Sequence, residues 1–132
     1  MRYLRIVLSI IAISQLALGA LTLLAPGFFF TAMGLASPPA DTFYLVGMLA
    51  SRFLVFGVVL VVLARRQSVE PLWLQAMIGI QLVDLAAGLY YTGTGVLPLA
   101  VSAFPMFNAT LFTALLLIAL RRDNTGVVGA TA

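Results

Sequence analysis

The stretch IGIQLVDLAAGLYY, residues 78–91, decides the fold class because it is apolar along its whole length and yet contains one acid, Asp84. It belongs to a longer apolar run that can cross a bilayer, since a spanning helix needs about 20 such residues. Three further runs have the same length and character. The four predicted spans are residues 4–25, 43–64, 72–91 and 97–120.

The composition supports a membrane protein. Hydrophobic residues make up 63% of the 132-residue chain and charged residues only 8%, with a mean hydropathy of +1.15. A soluble domain would contain about 25% charged residues. Helices are predicted because isolated strands leave peptide groups unpaired in lipid, and the alternating pattern of a barrel is missing. We therefore predict an all-α polytopic membrane protein, an antiparallel four-helix bundle forming one domain over residues 1–132.

The first span has an alternative interpretation as a signal peptide. Arg2 and Arg5 precede an apolar run, and the ALGAL stretch at residues 17–21 resembles a cleavage site. The run is about 20 residues long, however, whereas a signal peptide has an apolar region of roughly 7 to 15. We expect this segment to be a retained transmembrane helix.

The arginines predict the orientation. All seven basic residues are arginine, and six of them fall on one side of a four-span topology. Basic residues accumulate in short cytoplasmic segments, so we expect both termini in the cytoplasm, residues 121–132 as a flexible cytoplasmic tail, and a bacterial inner membrane as the location. The six residues are Arg2, Arg5, Arg65, Arg66, Arg121 and Arg122.

The absent residue types restrict the chemistry. The chain has no cysteine and no histidine, which argues against thiol redox chemistry, haem ligation, zinc catalysis and a Ser-His pair. We therefore predict no metal and no cofactor. The net charge of +3 reflects the arginine bias, so it gives no indication of nucleic-acid binding.

Aromatic residues are expected at the membrane interfaces, where amphipathic rings favour the headgroup layer. The first outer link begins PGFFFTAMGL, which is too apolar for a solvated loop, and we predict that it lies in the interface as a short helix. A lid or a partner-binding patch is the alternative. The predicted interfacial residues are Phe28, Phe29, Phe30, Trp73, Tyr90 and Tyr91.

Each span contributes a strongly polar residue at a similar depth. At about 1.5 Å of rise per residue, Asp84 lies roughly 10 Å from the outer end of the third span and Arg52 roughly 14 Å from that of the second. Gln15 and Asn108 lie at similar depths on the other two. The predicted buried polar layer consists of Gln15, Arg52, Gln81, Asp84 and Asn108.

Two helical stripes combine polar and small residues, a pattern typical of inward faces in membrane bundles. We expect both stripes to face the interior. One consists of Ala12, Gln15, Gly19 and Thr22, and the other of Gln81, Asp84, Gly88 and Tyr91.

Arg52 and Asp84 are predicted to form an ion pair. Arginine stays ionised in the membrane and needs an acceptor, and Asp84 is the only acid at that depth. The pair has two interpretations. In the first, the pair is structural and fixes the register of the helices. In the second, it is a functional site in which Asp84 acts as acid or base and Arg52 adjusts the acidity of Asp84, so these two are the candidate catalytic residues.

The chain resembles the DoxX-like group of small four-helix bacterial membrane proteins, many of which have no assigned function. The resemblance covers residues 18–91. It implies that Arg52, Gly57 and Asp84 occupy recurrent positions and that the protein acts as a small subunit beside others. Thiol chemistry, associated with some of these proteins, does not fit a chain without cysteine. The similar segments are LLAPGFFFTAMGL at residues 23–35, SRFLVFGVVLVVLARR at 51–66 and LVDLAAGLY at 82–90.

Three functions are open at this point. The first is an accessory or structural subunit of a larger membrane complex, which contacts the lipid bilayer and other membrane subunits. Its partner would cover a strip on the second or fourth span, around Val58, Val62, Leu116 or Leu117. The second is a binder of, or enzyme on, a lipophilic small molecule. The third is a proton or solute pathway, which a single acid supports poorly.

The predicted pair can be tested by mutation. Asp84→Asn should reduce accumulation in the membrane, because an uncompensated arginine at the centre of a span costs about 2.5 to 3.5 kcal/mol. The double variant Arg52→Met with Asp84→Asn should recover much of that loss, since no lone charge remains. Quantitative immunoblotting of membranes measures both. A double variant that accumulates no better than the single one would contradict the pairing.

Overall fold

A computed structural model describes the backbone of residues 2–128 and the side chains of residues 2–122. It is 85% helical, and no strand occurs in the part of the chain it describes. The predicted all-α class is therefore confirmed. The helices are α1 (Arg2–Leu24), α2 (Pro26–Ala32), α3 (Phe43–Arg65), α4 (Pro71–Gly93) and α5 (Leu99–Val128).

Four of these helices are long and apolar enough to cross a membrane. Within them, an 18-residue stretch reaches a mean hydropathy of 2.2 in α1, 2.4 in the segment containing α3, 1.5 in α4 and 1.9 in the Leu99–Arg122 part of α5. Their boundaries agree closely with the predicted spans, except at the end of α5. That helix continues through Arg121 and Arg122 to Val128, into the segment expected as a tail, and residues 129–132 lie outside the described chain.

The short helix expected in the first link is α2. Pro26 starts it, in a position where a missing N–H costs nothing. Gly34 ends it with φ +73, a left-handed conformation that glycine adopts without strain. The N–H of Leu35 then donates to the carbonyl of Phe30 at 2.9 Å. After Pro38 and Pro39, a single 3-10 turn at Ala40–Thr42 leads into α3.

The chain divides into two compact units. The first, called here the 4–5 unit, consists of Met1–Val7 with Gln67–Ala132 and therefore contains α4, α5 and the start of α1. The second, called the 1–3 unit, consists of Leu8–Arg66 and contains the rest of α1 with α2 and α3.

In the 1–3 unit, two glycines allow α1 and α3 to approach closely. A Cβ atom added to Gly57 would lie 2.6 Å from Leu16 Cγ and 3.2 Å from the Leu16 backbone nitrogen. A Cβ atom on Gly19 would lie 2.8 Å from Leu54 Cγ and 3.0 Å from the Leu54 nitrogen. The Gly19–Leu54 contact lies three residues later than the Leu16–Gly57 contact on α1 but three residues earlier on α3. The two helices are therefore antiparallel.

The inward stripe predicted on α1 is confirmed. Ala12, Gln15, Gly19 and Thr22 are all buried. The Thr22 hydroxyl donates to the Leu18 carbonyl at 2.6 Å, so its polar hydrogen is satisfied within its own helix. This burial agrees with the general rule that small and polar residues face inward where helices pack in membranes.

In the 4–5 unit, α4 and α5 pack as an antiparallel hairpin. A Cβ atom on Gly88 would lie 2.6 Å from Met106 Cγ, and four residues further along α4 the Thr92 hydroxyl donates to Ser102 Oγ at 2.7 Å. Gly95, with φ +76, lies in the turn between the helices. The hairpin therefore has a close contact in its interior and a hydrogen bond near its turn.

Several other hydroxyl groups are also satisfied locally. Thr110 donates to the Met106 carbonyl at 2.9 Å and Thr113 to the Ala109 carbonyl at 2.7 Å, both one turn back along α5. This arrangement suits a helix in lipid, where no water is present to bond a free hydroxyl. Among the described side chains, no buried nitrogen or oxygen lacks a hydrogen-bond partner.

The close contact at Gly57 predicts a large effect of a small substitution. Gly57→Ala should lower the free energy of unfolding by about 1 to 3 kcal/mol, because the Leu16 backbone limits how far the added methyl group can be accommodated. Unfolding in mixed micelles with increasing SDS would measure this.

Gly47→Ala on the same helix is the matched control. No atom lies within 4 Å of a Cβ there, and alanine has a higher helix propensity than glycine by up to about 1 kcal/mol. The control should be as stable as the unsubstituted chain or more so. Equal stabilities for the two variants would contradict the close packing of α1 and α3.

Candidate functional site

Each of the four long helices contains a strongly polar residue nine positions from one of its ends. Gln15 lies nine residues before Leu24, the last residue of α1, and Asp84 lies nine before Gly93, the last of α4. Nine residues correspond to about 14 Å of helix. On the other two helices the polar residue lies nine positions after the first residue of the helix. Arg52 follows Phe43 in this way on α3, and Asn108 follows Leu99 on α5.

In the 1–3 unit, Gln15 is buried and Arg52 is half-buried. The Arg52 Cζ atom lies 6.0 Å from the centre of the Phe53 ring, at the outer limit of a cation-π contact. Arg52 is next to Ser51, whose hydroxyl donates to the Met48 carbonyl at 2.7 Å. The arginine is thus only partly covered, about halfway along a helix whose mean hydropathy is the highest of the four.

In the 4–5 unit, the polar residues differ in exposure. Gln81 is buried with 4% of its surface accessible, Asn108 is half-buried, and Asp84 is exposed. The expectation that Asp84 is buried within the chain is therefore not met. Tyr91, from the same predicted stripe, is exposed as well.

Helix geometry explains the difference between Gln81 and Asp84. The side of α4 that faces inward runs through Leu74, Met77, Ile78 and Gln81 and continues through the half-buried Leu85, Gly88 and Thr92. At about 100° per residue, a step of four residues turns the helix by about 40° and a step of three turns it by about 60° the other way. Leu85 thus stays beside the inward side, whereas Asp84 and Tyr91 lie on its flank.

Both candidate catalytic residues take part in interactions, so neither Arg52 nor Asp84 is isolated. Their pairing with each other stays a prediction from the sequence. Within the described part of the chain, no three His, Cys, Asp or Glu side chains lie together as metal ligands would.

The predicted interfacial aromatic residues lie near helix ends and are at least partly exposed. Phe28, Trp73, Tyr90 and Tyr91 are exposed, while Phe29 and Phe30 are half-buried. Two neighbouring pairs pack edge to face, Phe29 with Phe30 at 5.6 Å and Tyr90 with Tyr91 at 5.3 Å between ring centres. Their contact with headgroups remains a prediction.

The surface predicted for a partner needs one correction. Leu116 is fully buried, so it does not belong to an outer strip. Val58, Val62 and Leu117 are exposed, as such a strip requires. The apolar character of α5 did not reveal which of its leucines face inward, because leucine occupies both kinds of position.

Sequence reasoning missed two polar contacts. One is the Thr92–Ser102 hydrogen bond near the turn of the α4–α5 hairpin. The other is the contact of Tyr3 with Arg122 and with the Leu115 carbonyl, which joins residues more than a hundred positions apart. The Thr92–Ser102 bond could have been found by pairing polar residues across the short link, whereas nothing local indicates the Tyr3 contact.

Comparison with known proteins finds no matching family model, no matching curated protein and no matching solved structure. The chemistry of the chain itself is therefore the basis for a functional proposal.

Proposed function

We propose that this integral membrane protein is a small accessory subunit of a larger membrane complex, and that it binds its partner through the exposed flank of α4. The observation that carries the proposal is the exposure of Asp84 near the middle of a membrane-length helix. An acid at the centre of a span costs about 2.5 to 3.5 kcal/mol when it faces lipid. A partner that covers it removes much of that cost.

Exposure is the relevant property even though Asp84 also takes part in an interaction. The part of a residue that the chain leaves exposed must meet lipid, water or another protein. Intramembrane acids normally face other protein or a water-filled cavity. A neighbouring subunit supplies such surroundings for a chain that has little polar surface of its own.

The rest of α4 supports the choice of this helix. Only 17% of its most apolar 18-residue window is buried, against 39% for α1. Its exposed surface includes several small residues, which allow another helix to approach closely. At Gly79, no atom lies within 4 Å of the position of a Cβ. The exposed small residues are Ala76, Gly79, Ala86 and Ala87.

The family and location are part of the same proposal. A DoxX-like protein would be a small multi-pass subunit of a bacterial inner membrane, and the arginine distribution favours cytoplasmic termini. At Gly57, one of the positions that the resemblance marks as recurrent, α3 lies so close to Leu16 of α1 that no room is left for a Cβ atom. A packing requirement at that position would explain why a glycine recurs there.

Site-specific crosslinking tests the partner surface. A photoreactive amino acid at Val83, which is 68% exposed on α4, should form an adduct with one defined membrane protein in the native host membrane. Ile13, an apolar β-branched residue that is also 68% exposed but lies on α1, is the matched control and should not form that adduct. Mass spectrometry of the adducts identifies the protein, which should also copurify in a fixed ratio in mild detergent.

Asp84→Asn should reduce the yield of the Val83 adduct relative to the amount of protein that reaches the membrane, since the acid is proposed to lie at the contact. Equal labelling from Val83 and Ile13 would indicate random collisions in the bilayer. That result, or native mass spectrometry of the isolated chain alone after gentle extraction, would contradict the subunit proposal.

The proposed orientation predicts the positions of reporter fusions. Fusions at Arg66 and after Arg122 should be active as cytoplasmic reporters, and one at Ala40 should be active as an external reporter, because the arginines resist translocation. Paired alkaline phosphatase and fluorescent protein fusions measure this. An external C-terminus would overturn the orientation without affecting the partner surface on α4.

A further inference from the structure

Tyr3, near the start of α1, contacts the second half of α5 in the 4–5 unit. The Tyr3 hydroxyl donates to the Leu115 carbonyl at 3.5 Å, and the Arg122 Cζ atom lies 4.7 Å from the centre of the Tyr3 ring. That distance is well within the range of a cation-π contact. Two helix ends that are far apart in sequence are thus joined through one tyrosine.

This end of the unit concentrates positive charge. Arg2 and Arg5 flank Tyr3 on α1, Arg121 precedes Arg122 on α5, and all four arginines are exposed. The sequence has only two acids near this end, Glu70 before α4 and Asp123 after Arg122. The four arginines and two acids together have a formal net charge of +2.

The arginines lie where lipid phosphates are expected. The apolar part of α5, Leu99–Arg122, has 24 residues and a length of about 36 Å. The hydrocarbon layer is about 30 Å thick, so the end of this helix reaches the headgroup region. Trp73 is exposed near the start of α4, at the same end of the antiparallel hairpin, and tryptophan favours that layer.

We propose that Arg2, Arg5, Arg121 and Arg122 form a binding site for the phosphate of an anionic phospholipid, with Tyr3 as the positioning residue. Guanidinium groups bind phosphate through two parallel hydrogen bonds, which a lysine ammonium does not match. The exclusive use of arginine fits this recognition. The contact with the Tyr3 ring restricts the positions of the Arg122 guanidinium, so less conformational freedom is lost when the phosphate binds.

Lipid titration of the purified full-length chain tests the proposal. Native mass spectrometry in detergent should show phosphatidylglycerol and cardiolipin bound at least about tenfold more tightly than phosphatidylcholine. Arg121→Gln with Arg122→Gln should weaken phosphatidylglycerol binding by about tenfold or more. Arg65→Gln with Arg66→Gln removes another exposed arginine pair, from the 1–3 unit, and should leave the affinity unchanged.

Tyr3→Leu keeps all four charges and should weaken binding by about two- to fivefold, the expected loss of one cation-π contact. It also provides the test if the double glutamine variant does not accumulate. An unchanged affinity in Tyr3→Leu would overturn the positioning role.

Three results would overturn the site itself. Equal effects of the two arginine-pair variants would indicate diffuse attraction to charge. Equal binding of phosphatidylcholine would remove the requirement for an anion. Displacement of the lipid by inorganic phosphate at equal concentration would indicate a site for soluble anions. None of these results bears on the partner surface of α4, so the two proposals can fail separately.

Discussion

Peptide groups in a bilayer must find their hydrogen-bond partners within the protein, and this constraint governs every other feature of the chain. It explains why the spans are helices rather than isolated strands. It also explains why Thr22, Thr110 and Thr113 donate their hydroxyl hydrogens to carbonyls of their own helices. These hydroxyl groups are tolerated in apolar helices because each donates a hydrogen bond within its own helix.

Since lipid is as apolar as leucine, hydrophobic burial does little to hold membrane helices together. Close van der Waals contact must do so, and glycine supplies it by bringing backbones together. Gly19 and Gly57 do this between α1 and α3, and Gly88 does so between α4 and α5. Each of the two units thus contains an antiparallel helix pair with glycine at a close contact.

Gln81 and Asp84 differ in how far the packing of the chain covers them. Gln81 is buried and belongs to the inward side of α4, where the fold accounts for it. Asp84 is one turn away and exposed, although it also takes part in an interaction. Intramembrane acids normally face other protein or a water-filled cavity, which is why α4 is the proposed partner surface.

The sequence by itself determined the class, the number of membrane-length helices and the position of each polar residue along its helix, because length, hydropathy and helical rise are properties of a single helix. It also identified the buried stripe of α1, where Ala12, Gln15, Gly19 and Thr22 share one side. Tertiary structure decided the exposure of Asp84, the burial of Leu116 and the contact of Tyr3 with Arg122. These depend on how far each helix is rotated about its axis and on which distant helix ends meet. Neither is determined by hydropathy, since leucine is as stable against lipid as against protein.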